Sequence, residues 1–255
     1  MISIKSQREL DSMRKAGEVV MLVHKRLEEM IAPGVTTKEL DRVAAEVIKS
    51  KGAVPSFRGV PCPYGGIDFP GVICASINNE VIHGIPGNRV MEDGDIISID
   101  TGAILDGFHG DAARTYPVGS VSPEALRLIS VTEEAFNRGM AQAVEGNRIR
   151  DISRAIQSYV EENGFSVVRD YVGHGIGREM HEEPQIPNYV SSYRGVRLTA
   201  GMTLAIEPMV NAGTWQVSVL DDRWTVVTAD GSLSAHHENT IAVTDKGPKI
   251  LTALY

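Results

Sequence analysis

The chain has 255 residues, 42% of them hydrophobic and 23% charged, with a formal net charge of −8. That is ordinary globular composition with enough length for a sizeable core, and the acidic balance argues against a nucleic-acid binder, which presents a basic face. Two cysteines, Cys62 and Cys74, cannot frame a disulfide scaffold; with no apolar h-region after Met1 and no apolar run near the length of a span, a reduced, cytoplasmic protein without a membrane segment is expected.

Ser6-Gln-Arg-Glu9 is a capping-box start, and Leu10, Met13, Val20, Val23, Leu27 and Met30 keep helical spacing through about residue 31, before Pro33-Gly34. Thr36-Thr-Lys-Glu39 opens a second helix, with Leu40, Val43, Val47 and Ile48 on one face until Gly52. Residues 53–75, rich in Gly, Pro and aromatics, read as loop with short extended pieces. Val72–Ile77 reads as a strand, and Asn78-Asn-Glu-Val-Ile-His83-Gly-Ile-Pro-Gly87 as another running into a turn.

Asp95-Ile-Ile-Ser-Ile-Asp100-Thr-Gly-Ala-Ile-Leu-Asp106-Gly107-Phe-His-Gly-Asp111 reads as a hairpin turning at Asp106-Gly107. That turn pairs Leu105 with Phe108 and sets Asp111 opposite Gly102. Asp100 and Asp111 then share one face as diagonal neighbours, roughly 7–8 Å apart. Two like charges so placed repel, and a divalent metal between them is the leading way to offset the repulsion. Ser122-Pro123 starts a helix pair over about 123–143 and 149–163. Val167–Val172 reads as a strand ending in Gly173-His174-Gly175-Ile-Gly177, whose glycines leave the His174 ring open. Asp230-Gly231 reads as a turn between strands Trp224–Thr228 and Leu233–Val243.

The second half repeats the first. Gly34 and Gly52 bracket one helix, Gly146 and Gly164 another, 112 residues on at both ends (146 − 34, 164 − 52), and Arg42 matches Arg154 at that offset. Gly94-Asp-Ile-Ile-Ser-Ile-Asp100 resembles Gly201-Met-Thr-Leu-Ala-Ile-Glu207, and Phe108-His-Gly-Asp111 resembles Ala235-His-His-Glu238. Matches in the same order predict a duplicated helix–helix–hairpin unit, too long for a solenoid repeat, folded as a single pseudo-two-fold domain over 1–255. Its two hairpins would face each other and pool four carboxylates.

Each acid also has an ordinary reading. Asp100 and Asp111 could flank turns or cap helices, and Glu207 and Glu238 could pair with arginines; their apolar strand context favours metal ligands, since buried charges are paired or bind metals. His174 is the obvious nitrogen ligand beside them, while His181 could be an uncoordinated acid or hydrogen-bond donor. His83 suits a cleft wall, His24 packing or surface, and His109, His236 and His237 a supporting shell around the acids. A set of two Asp, two Glu and one His is oxygen-rich and fits two metals sharing carboxylates, with manganese, iron or cobalt (Mn, Fe, Co) suiting it best and zinc (Zn) a further option.

In that order, Asp100, Asp111, His174, Glu207 and Glu238 resemble the ligands of type I methionine aminopeptidases. The likeness spans about residues 5–252 and is carried by Asn-Glu-Val-Ile-His83-Gly-Ile-Pro, Asp-Gly-Phe-His-Gly-Asp111, Gly-His174-Gly-Ile-Gly and Gly-Met-Thr-Leu-Ala-Ile-Glu207-Pro-Met-Val-Asn-Ala-Gly. The resemblance implies the pita-bread fold, an α/β (α+β) domain of two related halves around a central antiparallel sheet. It implies two divalent metal ions on the five ligands, bridged by Asp111 and Glu238, and removal of the N-terminal methionine from nascent proteins and peptides with small second residues. Glu207 would accept a proton from the attacking water, His181 would steady the oxyanion, and His83 would bond near the scissile amide. Phe69, Cys74, Met180 and Trp224 would line the methionine pocket. The partners implied are nascent polypeptide N-termini, with the ribosome near its exit tunnel as a second; no membrane or nucleic-acid site is expected, and a monomer is.

Some positions depart from the family. Asn239 stands where many relatives have histidine, and the loop around Pro61-Cys62-Pro63-Tyr64 leaves pocket residues in 58–69 unassigned. Two rivals are a proline-specific peptidase on the same fold, which usually adds an N-terminal domain, and a binding module that has lost catalysis, which would normally have lost ligands.

Overall fold

The computed structural model describes residues 2–192 and 194–254. In the first half, α1 (Gln7–Glu28) starts from the Ser6–Glu9 capping box and α2 (Thr37–Ser50) from that of Thr36 and Glu39. Then come β1 (Val54–Pro55), β2 (Ile73–Ile77), β3 (Glu80–Ile82), β4 (Ile96–Leu105) and β5 (Phe108–Pro117). The second half holds α3 (Pro123–Ala141), capped by the Ser122 side chain, α4 (Ile149–Glu162), β6 (Ser166–Val167), β7 (Gly173–Gly175), β8 (Glu182–Ile186), β9 (Thr203–Ile206) and β10 (Met209–Asn211). It ends with β11 (Val217–Val219), β12 (Val226–Thr228), β13 (Ser234–His236), β14 (Asn239–Thr244) and β15 (Gly247–Ile250).

Every strand pairing among the described residues is antiparallel. β4 carries β5 on one edge and β1 and β2 on the other, while a five-stranded sheet runs β15-β14-β9-β7-β8. Each half buries a core of its own. Val20, Val23, Leu27, Leu40 and Ile48 pack on Ile73, Ile97 and Ile99; Leu128, Phe136, Ile152 and Ile156 pack on Ile186, Leu204, Ile206 and Ile241. This follows from the sequence: α1 to α4 each carry one apolar stripe, and the sheets supply the surface that buries it.

The repeat is visible in backbone geometry. Gly34 and Gly146 both have φ +93, and both amides donate to a carbonyl in the connection ahead of the next strand, Met91 O at 2.8 Å and Leu198 O at 3.0 Å. Gly94 and Gly201 match likewise at φ +99 and +92. These are left-handed positions that glycine occupies without steric cost.

Two expectations for the second half are corrected. Trp224–Thr228 and Leu233–Val243 do not pair as a hairpin: β12 joins β11 and β3, β13 joins β10, and the run to Val243 is split into β13 and β14. The Asp230 carboxylate accepts from the amides of Thr214 and Ser232 at 2.7 and 3.0 Å, bracing a turn that leads from one sheet into another. Val167–Val172 is likewise extended only over β6 before β7 begins.

Candidate metal centre

The first two carboxylates stand on the β4–β5 hairpin. Its register runs without a shift from Leu105↔Phe108 to Ile96↔Pro117, setting Asp111 opposite Gly102 and Asp100 opposite Ala113. Asp106 and Gly107 both have positive φ, 53 and 77, the geometry of a two-residue turn matched to strand twist. The diagonal placement expected from the sequence is therefore present.

Glu207 and Glu238 reach the same place by a different route. Glu207 follows β9 and Glu238 precedes β14; since Ile206 pairs with Asn239, the two glutamates face each other directly rather than diagonally. Hydrogen bonds stitch the halves together here. The amide of Glu238 donates to Ala113 O at 2.9 Å and that of Ala113 to Glu238 O at 3.3 Å. On the next positions, the Thr240 hydroxyl accepts from the Asp111 amide at 3.0 Å and donates to its carbonyl at 2.9 Å. Asp111 and Glu238, matched in the sequence repeat, thus lie either side of the axis relating the halves.

His174 arrives on β7, beside Ala205 of β9. Its Nδ1 donates to Gly175 O at 2.9 Å, which leaves the Nε2 lone pair facing the carboxylates, 3.5 Å from Glu207 Oε1. Two sets of side chains bring possible ligand atoms within 4.8 Å of one another: Asp111, His174 and Glu238, and Glu207, His236 and Glu238. Asp100 stands outside both sets, close enough to Asp111 that the charge of that carboxylate helps to raise its own carboxyl.

The electrostatics are those of a site built around positive charge. Burial raises Asp100, Glu207 and Glu238 well above the ordinary carboxylate range, and neighbouring carboxylates add to it; Asp111 is also raised. Burial lowers His174 and His236 to about 3, so both rings are neutral and able to ligate. Asp100 Oδ1, Asp111 Oδ1, Glu238 Oε1 and His236 Nε2 are buried without a hydrogen-bond partner. His236 Nε2 lies 3.7 Å from Glu207 Oε2 and 4.0 Å from Glu238 Oε2. Those gaps are too long for hydrogen bonds and suit donors that share an ion about 2.0–2.2 Å from each. Orphaned oxygens, neutral imidazoles and that spacing all fit a divalent cation.

A cavity of about 600 Å³ opens over these groups, and Phe69, Cys74, Met180 and Trp224 cluster in its lining. Phe69 and Trp224 meet edge to face at 5.1 Å, and Cys74 sits opposite Asp100 on the next strand. His83 and His181 also line it. His83 has φ 60 and its ring stands edge-on to Tyr171 and Trp224, while the His181 ring stacks edge-on to His174 at 4.5 Å. Burial lowers both, His83 to about 4. Of the segment the sequence left unassigned, Val60, Pro61 and Pro63 face the cavity, and Arg223 Nη1 clasps the loop by donating to Tyr64 O and Gly65 O at 3.2 and 2.9 Å.

The profile of metallopeptidase family M24 matches residues 11–245. The methionine aminopeptidase of Clostridium perfringens is 56% identical over 254 residues, covering 100% of both chains. The chain belongs to the methionine aminopeptidases of metallopeptidase family M24. The crystal structure of methionine aminopeptidase from Thermotoga maritima superposes with a TM-score of 0.94 at 45% identity, covering 100% of both chains. Prolidase from Pyrococcus furiosus shares the fold at 23% identity and a TM-score of 0.79, with this chain covering 66% of it. The architecture is the pita-bread fold, and the chain is a metal-dependent aminopeptidase, a hydrolase. No described helix is long and apolar enough to cross a membrane.

Within that family frame, the supporting histidines part ways. His236 enters one of the two ligand sets, whereas His237 packs on Phe136 at 5.1 Å and His109 bonds Ser56 Oγ at 2.9 Å. His24 is buried, its Nε2 bonded to Ala112 O at 2.9 Å under the hairpin. Asn239 accepts from Arg114 Nη2 at 2.7 Å and Thr252 Oγ1 at 2.9 Å, and Arg114 Nη1 also bonds Glu238 O, which holds that guanidinium beside Glu238. Sequence reading missed Thr240 and Asn188, whose Nδ2 donates to Glu207 O at 2.9 Å; a buried Thr or Asn bonding to backbone leaves no local pattern.

Proposed function

We propose that this protein, acting as a single catalytic domain, removes the N-terminal methionine from nascent proteins and peptides, favouring small second residues. Asp100, Asp111, His174, Glu207 and Glu238 hold two divalent ions in this reading. The observation that carries it is the meeting of five such donors, with buried unpartnered oxygens, in the lining of a cavity that also holds an apolar, sulfur-containing cluster. Glu238 belongs to both ligand sets and Asp111 to one of them, which supports the reading that both would hold metal. The donors are mainly hard oxygens, so manganese, iron or cobalt suit them best, with zinc also compatible.

Bound ions would supply Lewis acidity and a water of lowered pKa. Glu207 would serve as the proton acceptor for the attacking water. The neutral imidazole of His181 donates toward the carbonyl oxygen as charge develops there, and His83 orients the scissile amide. Phe69, Cys74, Met180 and Trp224 enclose the unbranched thioether side chain, which soft and aromatic walls accommodate.

The test is methionine release from a Met-Xaa-Ser panel by protein loaded in turn with Mn, Fe and Co, beside Xaa-Pro peptides. Release from Met-Ala-Ser and Met-Gly-Ser but not Met-Leu-Ser is expected. Turnover of only Xaa-Pro peptides would assign the site to a proline-specific peptidase instead.

A further inference from the structure

A second concentration of charge lies beyond the carboxylate centre. Glu183 and Gln185 of β8 line both the main cavity and a second depression of about 340 Å³. That depression is walled by Ile149, Arg150 and Ser153 at the N-terminal end of α4; Arg150 also lines a third, of about 310 Å³, together with Arg148, Arg154 and Arg194. Shared side chains therefore join the three in series, from the acidic centre past β8 to four arginines.

In a chain of net charge −8 these arginines are poorly neutralised. Among the described residues Asp151 is the one carboxylate lining the third depression, 3.8 Å from Arg154 Nη1, and its other oxygen accepts from the Arg148 amide at 2.9 Å. Arg148 Nη1 is spent on Gly195 O at 2.9 Å, and the Arg150 Nε is buried with no hydrogen-bond partner. The partial positive charge of the helix N-terminus adds to the imbalance. The first half has no such cluster: Thr36 and Lys38 occupy the positions of Arg148 and Arg150, and Arg42, the match of Arg154, pairs with Glu46 at 2.6 Å. The excess charge belongs to the half whose helix adjoins the cleft, and β8 is an edge strand paired only with β7, along which an extended chain can lie.

We propose that the basic depression is a distal subsite for the substrate polypeptide, and this rests on the aminopeptidase reading. The chain beyond the scissile bond passes along β8, and an acidic side chain several residues on is held by Arg150 and Arg194. On β8, Glu182 is paired with Lys5, but Glu183 lines the cavity, so a carboxylate close to the scissile bond is repelled by Glu183 and one further along is attracted.

The experiment uses metal-loaded protein and ten-residue peptides beginning Met-Ala-Ser, otherwise neutral, with a single Asp moved along the chain. An Asp at the third position lowers kcat/KM relative to the neutral peptide. At one or two adjacent later positions it raises kcat/KM about three- to tenfold at low salt, mainly through KM, and added salt erodes the gain. In the double variant Arg150→Gln/Arg194→Gln the acid-to-neutral ratio falls to about one, and Glu183→Gln relieves the early penalty. Anisotropy binding of the same labelled peptides reads the same ratio independently of turnover. A flat panel, or a gain that survives in the double variant, overturns the subsite. So does a short RNA hairpin or inorganic phosphate that competes at this cluster while acidic peptides do not. Loss of methionine release from the neutral peptide would instead count against the aminopeptidase reading.

Discussion

The Thr240 hydroxyl holds both backbone groups of Asp111, accepting from its amide at 3.0 Å and donating to its carbonyl at 2.9 Å. Glu238 and Ala113, the residues exchanged with this pair by the repeat, make the corresponding contact through two backbone hydrogen bonds. The two carboxylates nearest the axis are thus placed by the strands of their own halves and tied to each other by contacts between the halves.

Thr240→Val keeps the shape and removes both bonds to Asp111. With two buried backbone groups left short of a partner, a loss of about 2–4 kcal/mol is expected. Urea denaturation of metal-free protein measures it, and a loss below about 1 kcal/mol would mean that strand pairing alone holds the halves.

Glu207→Ala and His181→Ala should fail differently. The first leaves a folded protein without methionine release; the second lowers turnover by two or more orders of magnitude while metal content by atomic absorption stays that of the parent. Metal lost from His181→Ala would make that ring a ligand, and activity retained in Glu207→Ala would remove its proton-accepting role.

The raised carboxyls make stability depend on pH and metal together. Burial lifts Asp111 to about 7 and its neighbours Asp100, Glu207 and Glu238 in the same direction. A carboxyl raised on folding stabilises the folded state below its unfolded pKa near 4 and loses that contribution as pH rises through the folded value. The buried rings of His174 and His236, lowered to about 3, act oppositely: their contribution is whole above about 6.5 and is lost as pH falls toward 3. Chelated protein should therefore melt lower as pH rises from about 6.5 to 8, while divalent metal, which binds the deprotonated groups, widens its stabilising gap over that range. Thermal melts with chelator and with Mn follow both trends. A gap independent of pH would show that these carboxyls do not ligate the ion.

Gly110 lies where α1 crosses the hairpin, and a Cβ there would meet Gly17 N at 2.6 Å. Gly110→Ala should push the helix off β5 and cost about 1–3 kcal/mol, read as a lowered midpoint in denaturant. An unchanged midpoint would mean that the helix can shift freely.

Much of the centre was legible in the chain. The Asp106-Gly107 turn dictated the β4–β5 register because a two-residue turn leaves no freedom in pairing, and the glycine spacing exposed the duplication because left-handed turns need glycine at fixed places. Asp100 and Asp111 were therefore readable as a local pair. The second pair was legible only by analogy, and analogy misplaced its strands: Glu207 and Glu238 meet through β9 and β14, segments 31 residues apart (238 − 207), and not through the turn at Asp230-Gly231.

Local sequence determined the capping boxes, the apolar stripes, the hairpin and the types of ligand, since each depends on neighbours within a few residues. Tertiary structure alone decided that Glu238 faces Glu207, that His236 points inward and His237 away, and that Arg114, Asn239 and Thr240 brace the seam. Those choices rest on long-range contacts, made between side chains far apart in the chain and settled only when both cores close.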